Sequence, residues 1–135
     1  MTPIATVQQI YTAFGRGDIP GILALLADDI EWEYGSFPNP VPWLAPLRGR
    51  DQVPAFFEAL LSRVEMNVFV PKHVMTDGRL VVAVCDVEFT VRATGKRVVE
   101  RDEVHLWHVD DRGLMQRFRH RCDTWQQAMS LEGSR

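Results

Sequence analysis

The sequence lacks most of the features that tie a protein to a metal, a membrane or a nucleic acid. Its two cysteines, Cys85 and Cys122, are far apart and have no CxxC or Cys/His ligand spacing, which indicates free thiols rather than a zinc or redox site. The longest apolar run, residues 80–85, is far too short to span a membrane. The first residues carry neither a basic region nor an apolar signal core. We therefore expect a soluble, cytoplasmic protein that contacts no membrane.

The charge balance gives no attraction to nucleic acid. Fifteen basic and 18 acidic residues give a formal net charge of −3. The chain has 135 residues, 46% of them hydrophobic and 24% charged, which suits one compact globular domain over residues 1–135. Neither disorder nor a repeat architecture fits this composition.

The first third of the chain predicts helices followed by a strand. Apolar residues recur every three or four positions from Ile4 to Phe14, which predicts a first helix that ends at Gly15 and Gly17. Asp18 is placed as the N-cap of a short second helix that carries apolar residues through 26. Alternation over residues 29–34 then predicts a strand with one buried face.

The rest of the chain predicts a loop, a third helix and a meander of strands. Four prolines between residues 35 and 49 indicate an irregular loop with apolar contents, and the apolar period over 53–64 predicts a helix. Strands are predicted near residues 66–75, 79–93, 97–109 and 114–122, with a short helix after the N-cap Asp123. Helices followed by an antiparallel sheet predict an α+β fold.

Four segments, in this order, resemble the nuclear transport factor 2-like superfamily, and most of all its SnoaL-like polyketide cyclases and ketosteroid isomerases. They are residues 11–18 (YTAFGRGD), 26–32 (LADDIEW), 48–57 (RGRDQVPAFF) and 113–118 (GLMQRF). The resemblance implies a cone-shaped α+β barrel in which three N-terminal helices pack on a curved antiparallel sheet and enclose a pocket. It also implies a homodimer. It does not fix the chemistry, since this fold carries isomerases, cyclases, hydrolases, dehydratases and binding domains.

Strand parity predicts which polar residues face the interior. Val99, Arg101, Glu103, His105 and Trp107 share one face of their strand. The partner face on the next strand is predicted to be Leu114, Gln116, Phe118, His120 and Cys122. A symmetric turn over residues 110–113 would set Glu103 opposite His120 and His105 opposite Phe118, and a bulge would break that register.

Glu103, His105 and His120 are the main candidates for a catalytic group. On an apolar face they are expected to pair, because an unpaired buried charge is costly. A carboxylate that holds an imidazole raises its basicity, which suits a general base near neutral pH. The alternative is a structural Glu–His bridge without turnover.

The resemblance also assigns possible roles to other positions. Tyr11 falls near the oxyanion-donating tyrosine of the isomerases, but Tyr34 and Phe57 replace their general-base aspartate and their third-helix tyrosine. Steroid isomerisation by an aspartate base is therefore not expected. His105 and Asp123 resemble the His/Asp pair of polyketide cyclases, although Asp123 also has the spacing of a helix cap.

Asp123 also matches one carboxylate of the limonene epoxide hydrolase site. The Arg-x-Asp that completes that site has no counterpart, because Cys85, Val87 and Phe89 occupy the region. Epoxide opening by that route is not expected.

The many aromatic rings predict a mostly apolar cavity that binds a flat or polycyclic apolar molecule, with a few polar groups to orient it. The ligand-binding candidates are Tyr11, Trp32, Trp43, Phe56, Trp107 and Phe118, with Phe37 as a further ring. Tyr11 and Tyr34 are candidate donors to a developing oxyanion. No metal or other cofactor is implied.

The opposite face of the sheet predicts a partner. Arg117, Arg119 and Arg121 point outward and are expected to pair with acidic residues of neighbouring strands, namely Asp86, Glu88, Glu100 and Asp102, rather than with nucleic acid. Val82, Val84, Val104 and Leu106 share that face, and such exposed apolar surface predicts a homodimer interface.

The sequence thus predicts a cofactor-independent pocket protein that performs general acid–base catalysis of isomerase, cyclase or dehydratase type. The substrate would be a small apolar compound with a carbonyl group. The catalytic candidates are His105, His120, Glu103, Tyr34 and Asp123. The alternative is a ligand-binding or dimerisation domain of the same fold without catalysis.

Overall fold

The computed structural model describes residues 1–35 and 38–133, so Phe37 lies outside the described residues. Over these residues the chain forms four α-helices and six β-strands. Their bounds are α1 Pro3–Gly15, α2 Ile19–Leu23, β1 Leu26–Glu33, β2 Leu47–Arg48, α3 Val53–Leu61, β3 Val64–Asp77, β4 Leu80–Val91, β5 Arg97–Val109, β6 Met115–Arg121 and α4 Thr124–Ser130. A short 3-10 turn, Pro42–Leu44, lies within the proline-rich loop, and a second one, Arg50–Gln52, precedes α3.

The strands form one curved sheet in the order β2-β1-β6-β5-β4-β3. The α+β class predicted from the sequence is confirmed. We expected a wholly antiparallel sheet, but β1 pairs with β6 in parallel. Register shifts mark bulges on β3, β5 and β6, and bulges bend a sheet and increase its twist.

Side-chain caps fix where the helices begin. Thr2 accepts a hydrogen bond from the Ala5 amide at the start of α1, and Asp18 accepts one from the Gly21 amide at the start of α2. Asp123 caps α4 in the same way by accepting from the Gln126 amide. The second helix ends at Leu23, earlier than predicted, because Leu26 already belongs to β1.

The predicted register of the β5–β6 hairpin is wrong by two residues. His105 lies opposite His120, and Trp107 lies opposite Phe118. The turn contributes one residue of this shift, since Asp110 pairs with Leu114 and Gly113 has a positive φ of 83°. A bulge beyond Met115 contributes the other. Because the shift near the histidines is even, they keep the inward orientation predicted from parity.

The bulges also change which side chains face inward near the strand ends. At the start of β6 Met115 is buried, whereas Gln116, which was predicted to face inward, is exposed. On β5 Val98 is buried and Val99 is 41% exposed, the reverse of the prediction. The cause on β5 is a register shift between residues 100 and 103, where Asp102 has a positive φ of 66°.

The helices cover the inner face of the sheet. One buried cluster joins Val7 and Ile10 of α1 and Phe57 of α3 to the tryptophans of β1 and β5. A second cluster joins the loop residues Trp43 and Leu44 to the inner side of β4. The space between these two clusters is where a cavity lies.

The outer face carries ion pairs, but not the ones predicted for the arginines. Arg117 and Arg121 pair with Glu31 and Glu33 of β1, and Arg119 hydrogen-bonds His108. The acidic partner strand is β1 because β6 lies beside it. The four acidic residues predicted as partners bind elsewhere: Asp86 and Asp102 contact Lys72, Glu88 contacts Arg97 and Arg101, and Glu100 accepts from the Asp123 amide.

None of the helices in the described residues is long and apolar enough to cross a membrane.

Candidate functional site

A cavity of about 90 Å³ lies between the inner face of the sheet and helices α1 and α3. All six predicted ligand-binding residues line it: Tyr11, Trp32, Trp43, Phe56, Trp107 and Phe118. Glu103, His105 and His120 line it as well, each no more than 7% exposed. The cavity therefore has aromatic walls and one small polar edge formed by β5 and β6.

A chain of hydrogen bonds runs along the polar edge. His105 Nε2 lies 2.7 Å from Glu103 Oε2, and His105 Nδ1 lies 2.7 Å from the Tyr11 hydroxyl. The indole N–H of Trp107 donates to the same hydroxyl over 3.0 Å. Glu103 and His105 are two residues apart on one strand and therefore share a face, whereas Tyr11 comes from α1.

Glu103 and His105 form a buried ion pair. Burial disfavours the charged imidazole, but the contacts with Cys85 and Glu103 outweigh burial and raise the pKa of His105 to about 9. Burial likewise tends to raise the carboxyl pKa, but the hydrogen bond and charge of His105 hold the pKa of Glu103 below its ordinary value. At neutral pH His105 is accordingly an imidazolium and Glu103 a carboxylate.

His120 has a different environment although it lies directly opposite His105. Its ring stacks on Phe118 with centroids 5.2 Å apart and meets the edge of Phe56 at 5.9 Å. Among the described residues its ring has no hydrogen-bond partner. Burial lowers the pKa of His120 to about 4, and the positive charge of His105 adds to that effect. His120 is therefore neutral at neutral pH.

The protonation of His105 controls what the Tyr11 hydroxyl can do. An imidazolium donates from both ring nitrogens, so Nδ1–H donates to the Tyr11 oxygen while Nε2–H donates to Glu103. With Trp107 also donating, the Tyr11 oxygen accepts two hydrogen bonds, and its own hydrogen is left to point elsewhere. Burial raises the pKa of Tyr11, which keeps the phenol protonated. The Tyr11 hydroxyl therefore keeps its hydrogen at the edge of the cavity.

Two of the predicted catalytic residues do not line the cavity. Asp123 caps α4 with Oδ1 3.0 Å from the Gln126 amide nitrogen and Oδ2 3.2 Å from the Gln126 side-chain nitrogen. Tyr34 is buried at 7% exposure in the cluster around Trp43, where its hydroxyl has no hydrogen-bond partner among the described residues. Burial raises the pKa of Tyr34. Neither residue is placed to touch a molecule in the cavity.

Sequence reasoning missed several residues of the site. Gln127 lines the cavity and accepts a 2.7 Å hydrogen bond from the indole N–H of Trp43. Phe69 lines it from β3 and stacks against His105 at 6.0 Å. Cys85 Sγ lies 3.8 Å from His105 Nδ1. The sequence carries no apolar signal for Gln127, because the buried residues of α4 are the polar Gln127 and Ser130 while Trp125 is exposed, and the other contacts depend on the fold.

No group of three or more His, Cys, Asp or Glu side chains is placed to hold a metal ion in residues 1–35 and 38–133.

The comparisons with known proteins identify the family. A family model described as a SnoaL-like domain matches residues 7–118. The chain belongs to the SnoaL-like domain family. This confirms the resemblance noted from the sequence. A search of curated proteins found no match.

Solved structures of SnoaL-like and related proteins share the fold along nearly the whole chain. A nuclear transport factor 2-like protein from Burkholderia thailandensis is 28% identical with a TM-score of 0.87, covering 98% of this chain and 99% of that one. A proposed polyketide cyclase from Pseudomonas putida is 20% identical with a TM-score of 0.80, covering 98% of this chain and 99% of that one.

A third structure, an epoxide hydrolase from M. tuberculosis resembling limonene epoxide hydrolase, is 20% identical with a TM-score of 0.72. It covers 96% of this chain and 88% of that one. At 20% identity, the cyclase and the hydrolase are evidence for a shared fold alone.

Proposed function

We propose that this SnoaL-like domain binds a small apolar carbonyl compound and moves a proton on it by general acid–base catalysis, without a cofactor. The class of reaction is that of an isomerase, cyclase or dehydratase. The observation that carries the proposal is the pair His105 and His120, which face each other in one cavity and are held in opposite charge states. Titratable groups whose environments push their pKa values apart are the usual acid and base of such a site.

His105, Glu103 and Tyr11 would form the electrophilic side. Glu103 keeps His105 protonated. His105 and Trp107 both donate hydrogen bonds to the Tyr11 oxygen, so the hydrogen of the Tyr11 hydroxyl points away from these two residues. A carbonyl oxygen placed beside that hydroxyl would accept its hydrogen bond. The bond strengthens as negative charge develops on the oxygen, which is the condition for transition-state stabilisation.

His120 would be the base. It is neutral, has no hydrogen bond to occupy its lone pair, and lines the same cavity as Tyr11. Its low pKa makes it a weak base, and the oxyanion donor would compensate by making the carbon acid stronger. A base with a pKa well below 7 works in this way in ketosteroid isomerase.

The proposed step is a balanced proton transfer. A ring nitrogen of His120 takes a proton from the carbon next to the carbonyl, and the C–H electron pair becomes the C=C bond of an enolate. The carbonyl π electrons move to the oxygen, which accepts the hydrogen bond from Tyr11. Return of the proton from His120 to the same carbon gives exchange, and return to another carbon gives isomerisation.

The relatives support a small-molecule site and leave the reaction open. One neighbour in structure is a proposed polyketide cyclase and another an epoxide hydrolase, both of which act on small molecules. Epoxide opening is disfavoured here because Cys85, Val87 and Phe89 stand on the inner side of β4, where an Arg-x-Asp would be needed.

The direct test is exchange of the α-protons of 2-butanone in D₂O, followed by proton NMR. The wild type should exchange them faster than buffer, and His120→Leu should lower the rate about 100-fold or more. His73→Leu is the matched control, because His73 is an exposed histidine outside the cavity. If 2-butanone binds the wild type without any exchange, the protein is a ligand-binding domain and the catalytic proposal fails.

We also propose that the outer face of the sheet joins two copies of the chain. Val82, Val84, Val104 and Leu106 lie together there and are only half-buried in one chain. The same face carries both signs of charge, on the arginines of β6 and on Glu31 and Glu33 of β1. A two-fold interface needs both signs if it is to be self-complementary.

Sedimentation velocity at micromolar concentration tests the dimer. The wild type should sediment as a dimer, and Leu106→Glu should sediment as a folded monomer. Trp125→Glu is the control, because Trp125 is 73% exposed on α4, away from this face. A wild type that is monomeric under these conditions would remove the proposal.

A further inference from the structure

We infer that the open groove between α1 and β3 is the outer half of the ligand site and takes the apolar tail of an elongated carbonyl compound whose carbonyl lies in the inner cavity. The inference rests on the proposed function for the carbonyl head. The tail is assigned from the groove itself.

The inner cavity is too small to hold a ligand of ordinary size by itself. Its volume is about 90 Å³. Ligand sites typically measure roughly 300–1,000 Å³, and an engineered cavity of about 150 Å³ is just large enough for benzene. A compound larger than a ketone of four or five carbons must therefore extend out of the cavity.

The groove lies where such an extension would emerge. It has a volume of about 610 Å³ and runs along the outer side of α1 and β3. Four side chains line both the cavity and the groove: Tyr11, Phe14, Met66 and Phe69. They form the partition between the two spaces, and Tyr11 carries the hydroxyl proposed to bind the carbonyl oxygen.

The partition is made of side chains that can move apart. Phe14 and Phe69 meet edge to face with centroids 5.1 Å apart, and both are only half-buried. Met66 beside them is unbranched and adapts to irregular neighbours. Rotation of these side chains would connect the cavity to the groove without moving the sheet.

The chemistry of the groove suits an apolar tail. No charged residue is among the described residues that line it, and its polar members Gln8 and Thr12 are exposed on α1. Leu61 on its wall is 38% exposed, and Val74 on β3 is only half-buried. An apolar chain would cover this surface and gain about threefold to fourfold in affinity for each buried methylene.

Gly15 offers a way to fill the groove without touching the polar edge of the cavity. It lines the groove at the end of α1, and a Cβ added there meets no atom within 4 Å. Gly15→Phe would place a ring in the groove, and Gly15→Ala is the matched control that leaves it open. Leu61→Gln is a second variant, which makes the wall polar without filling the groove.

The experiment is isothermal titration calorimetry with the 2-alkanones from 2-butanone to 2-nonanone. In the wild type and Gly15→Ala, affinity should rise about threefold for each methylene beyond the short members. In Gly15→Phe the short ketones should bind as in the wild type while the gain with length is lost, and in Leu61→Gln the gain should shrink. An affinity that does not rise with chain length, an equal rise in Gly15→Phe and Gly15→Ala, or no binding of any ketone would each overturn the inference.

This readout separates the tail site from catalysis. The dependence on chain length is measured by binding alone and holds even if no bound ketone exchanges its protons. Exchange of 2-butanone without any effect of chain length would leave the proposed function standing and remove the groove.

Discussion

His105 and His120 occupy directly paired positions on β5 and β6, yet the protein gives them opposite charges. Both are almost completely buried, at 5% and 7% exposure. The difference lies in their neighbours, because Cys85 and Glu103 contact His105 whereas the rings of Phe56 and Phe118 contact His120. The residue two positions before His105 is Glu103, whereas the residue two positions before His120 is Phe118.

The comparison shows that burial alone does not fix the charge of a group. Burial pushes the pKa of both imidazoles down, and the contacts with Cys85 and Glu103 reverse the direction at His105. Contacts from two strands, Glu103 on β5 and Cys85 on β4, therefore separate the two imidazoles within a single cavity. Each of the following predictions removes or tests one part of that difference.

Removal of each histidine should have very different effects on stability. His105→Leu leaves the Glu103 carboxylate buried without a partner, and we expect it to lower the free energy of unfolding by about 3–5 kcal/mol. His120→Leu removes a ring without hydrogen bonds and should change it by less than about 1 kcal/mol. Urea denaturation measures both. The double variant Glu103→Leu/His105→Leu should recover most of the loss, and equal losses in the two single variants would contradict the ion pair.

The rate of proton exchange should depend on both His120 and Tyr11. His120→Leu should keep the fold and lose about 100-fold or more of the 2-butanone exchange rate, because the base is gone. Tyr11→Phe should also slow exchange by about 100-fold while leaving His120 in place, because the oxyanion donor is gone. Proton NMR in D₂O gives both rates. A His120→Leu variant that exchanges at the rate of the wild type would assign the base to another group.

The pH dependence of stability should show the depressed pKa of His120. Between pH 4 and 6.5 the unfolded chain binds a proton at His120 and the folded chain does not, so this group makes stability rise with pH by up to about 1.4 kcal/mol per pH unit. Glu100 has the opposite effect from pH 4.5 to 7, because burial raises its pKa to about 7 and the folded chain keeps the proton.

The informative quantity is therefore the difference in unfolding free energy between the wild type and His120→Leu. Relative to the variant, the wild type should lose stability as pH falls from 6.5 to 4. A difference that does not change with pH would mean that His120 titrates alike in the folded and unfolded chains.

The smallest expected effect concerns Trp107, which donates to the Tyr11 hydroxyl. Trp107→Phe removes one hydrogen bond, of about 1 kcal/mol, and should slow 2-butanone exchange about fivefold. Trp32→Phe is the matched control in the same cavity, because the Trp32 indole nitrogen has no hydrogen-bond partner among the described residues. If the two variants slow exchange equally, the effect comes from packing and not from the orientation of Tyr11.

Much of the fold and part of the cavity could be predicted from sequence, because they follow from local periodicity. Alternation along β5 and β6 correctly predicts that His105, Trp107, Phe118 and His120 face inward. The spacing of Asp123 and Gln126 correctly predicts the cap of α4. The register failed where single residues interrupt the alternation, at the bulges near Asp102 and Gln116. A bulge has only a weak sequence signal, so its position depends on how the sheet bends over the helices.

The polar network of the cavity was only partly predictable. Glu103 and His105 lie two residues apart, and parity alone brings them to one face. Tyr11 reaches His105 across 94 residues, which spacing cannot show. For this reason the sequence suggests a base at His105, whereas we propose an acid there because Glu103 and Tyr11 both contact its ring. The single domain over residues 1–135 and the cytoplasmic location stay predictions.

The most direct test of the account is an NMR titration of the two imidazoles in the wild type, with Glu103→Gln for comparison. We predict that His105 stays doubly protonated through neutral pH and titrates near pH 9, while His120 stays neutral down to about pH 4. In Glu103→Gln the pKa of His105 should fall well below 9, because the hydrogen bond and the charge of Glu103 are lost while burial remains. Two histidines that titrate together near pH 6.5, or a His105 unaffected by the loss of Glu103, would contradict the division of the cavity into an acid and a base.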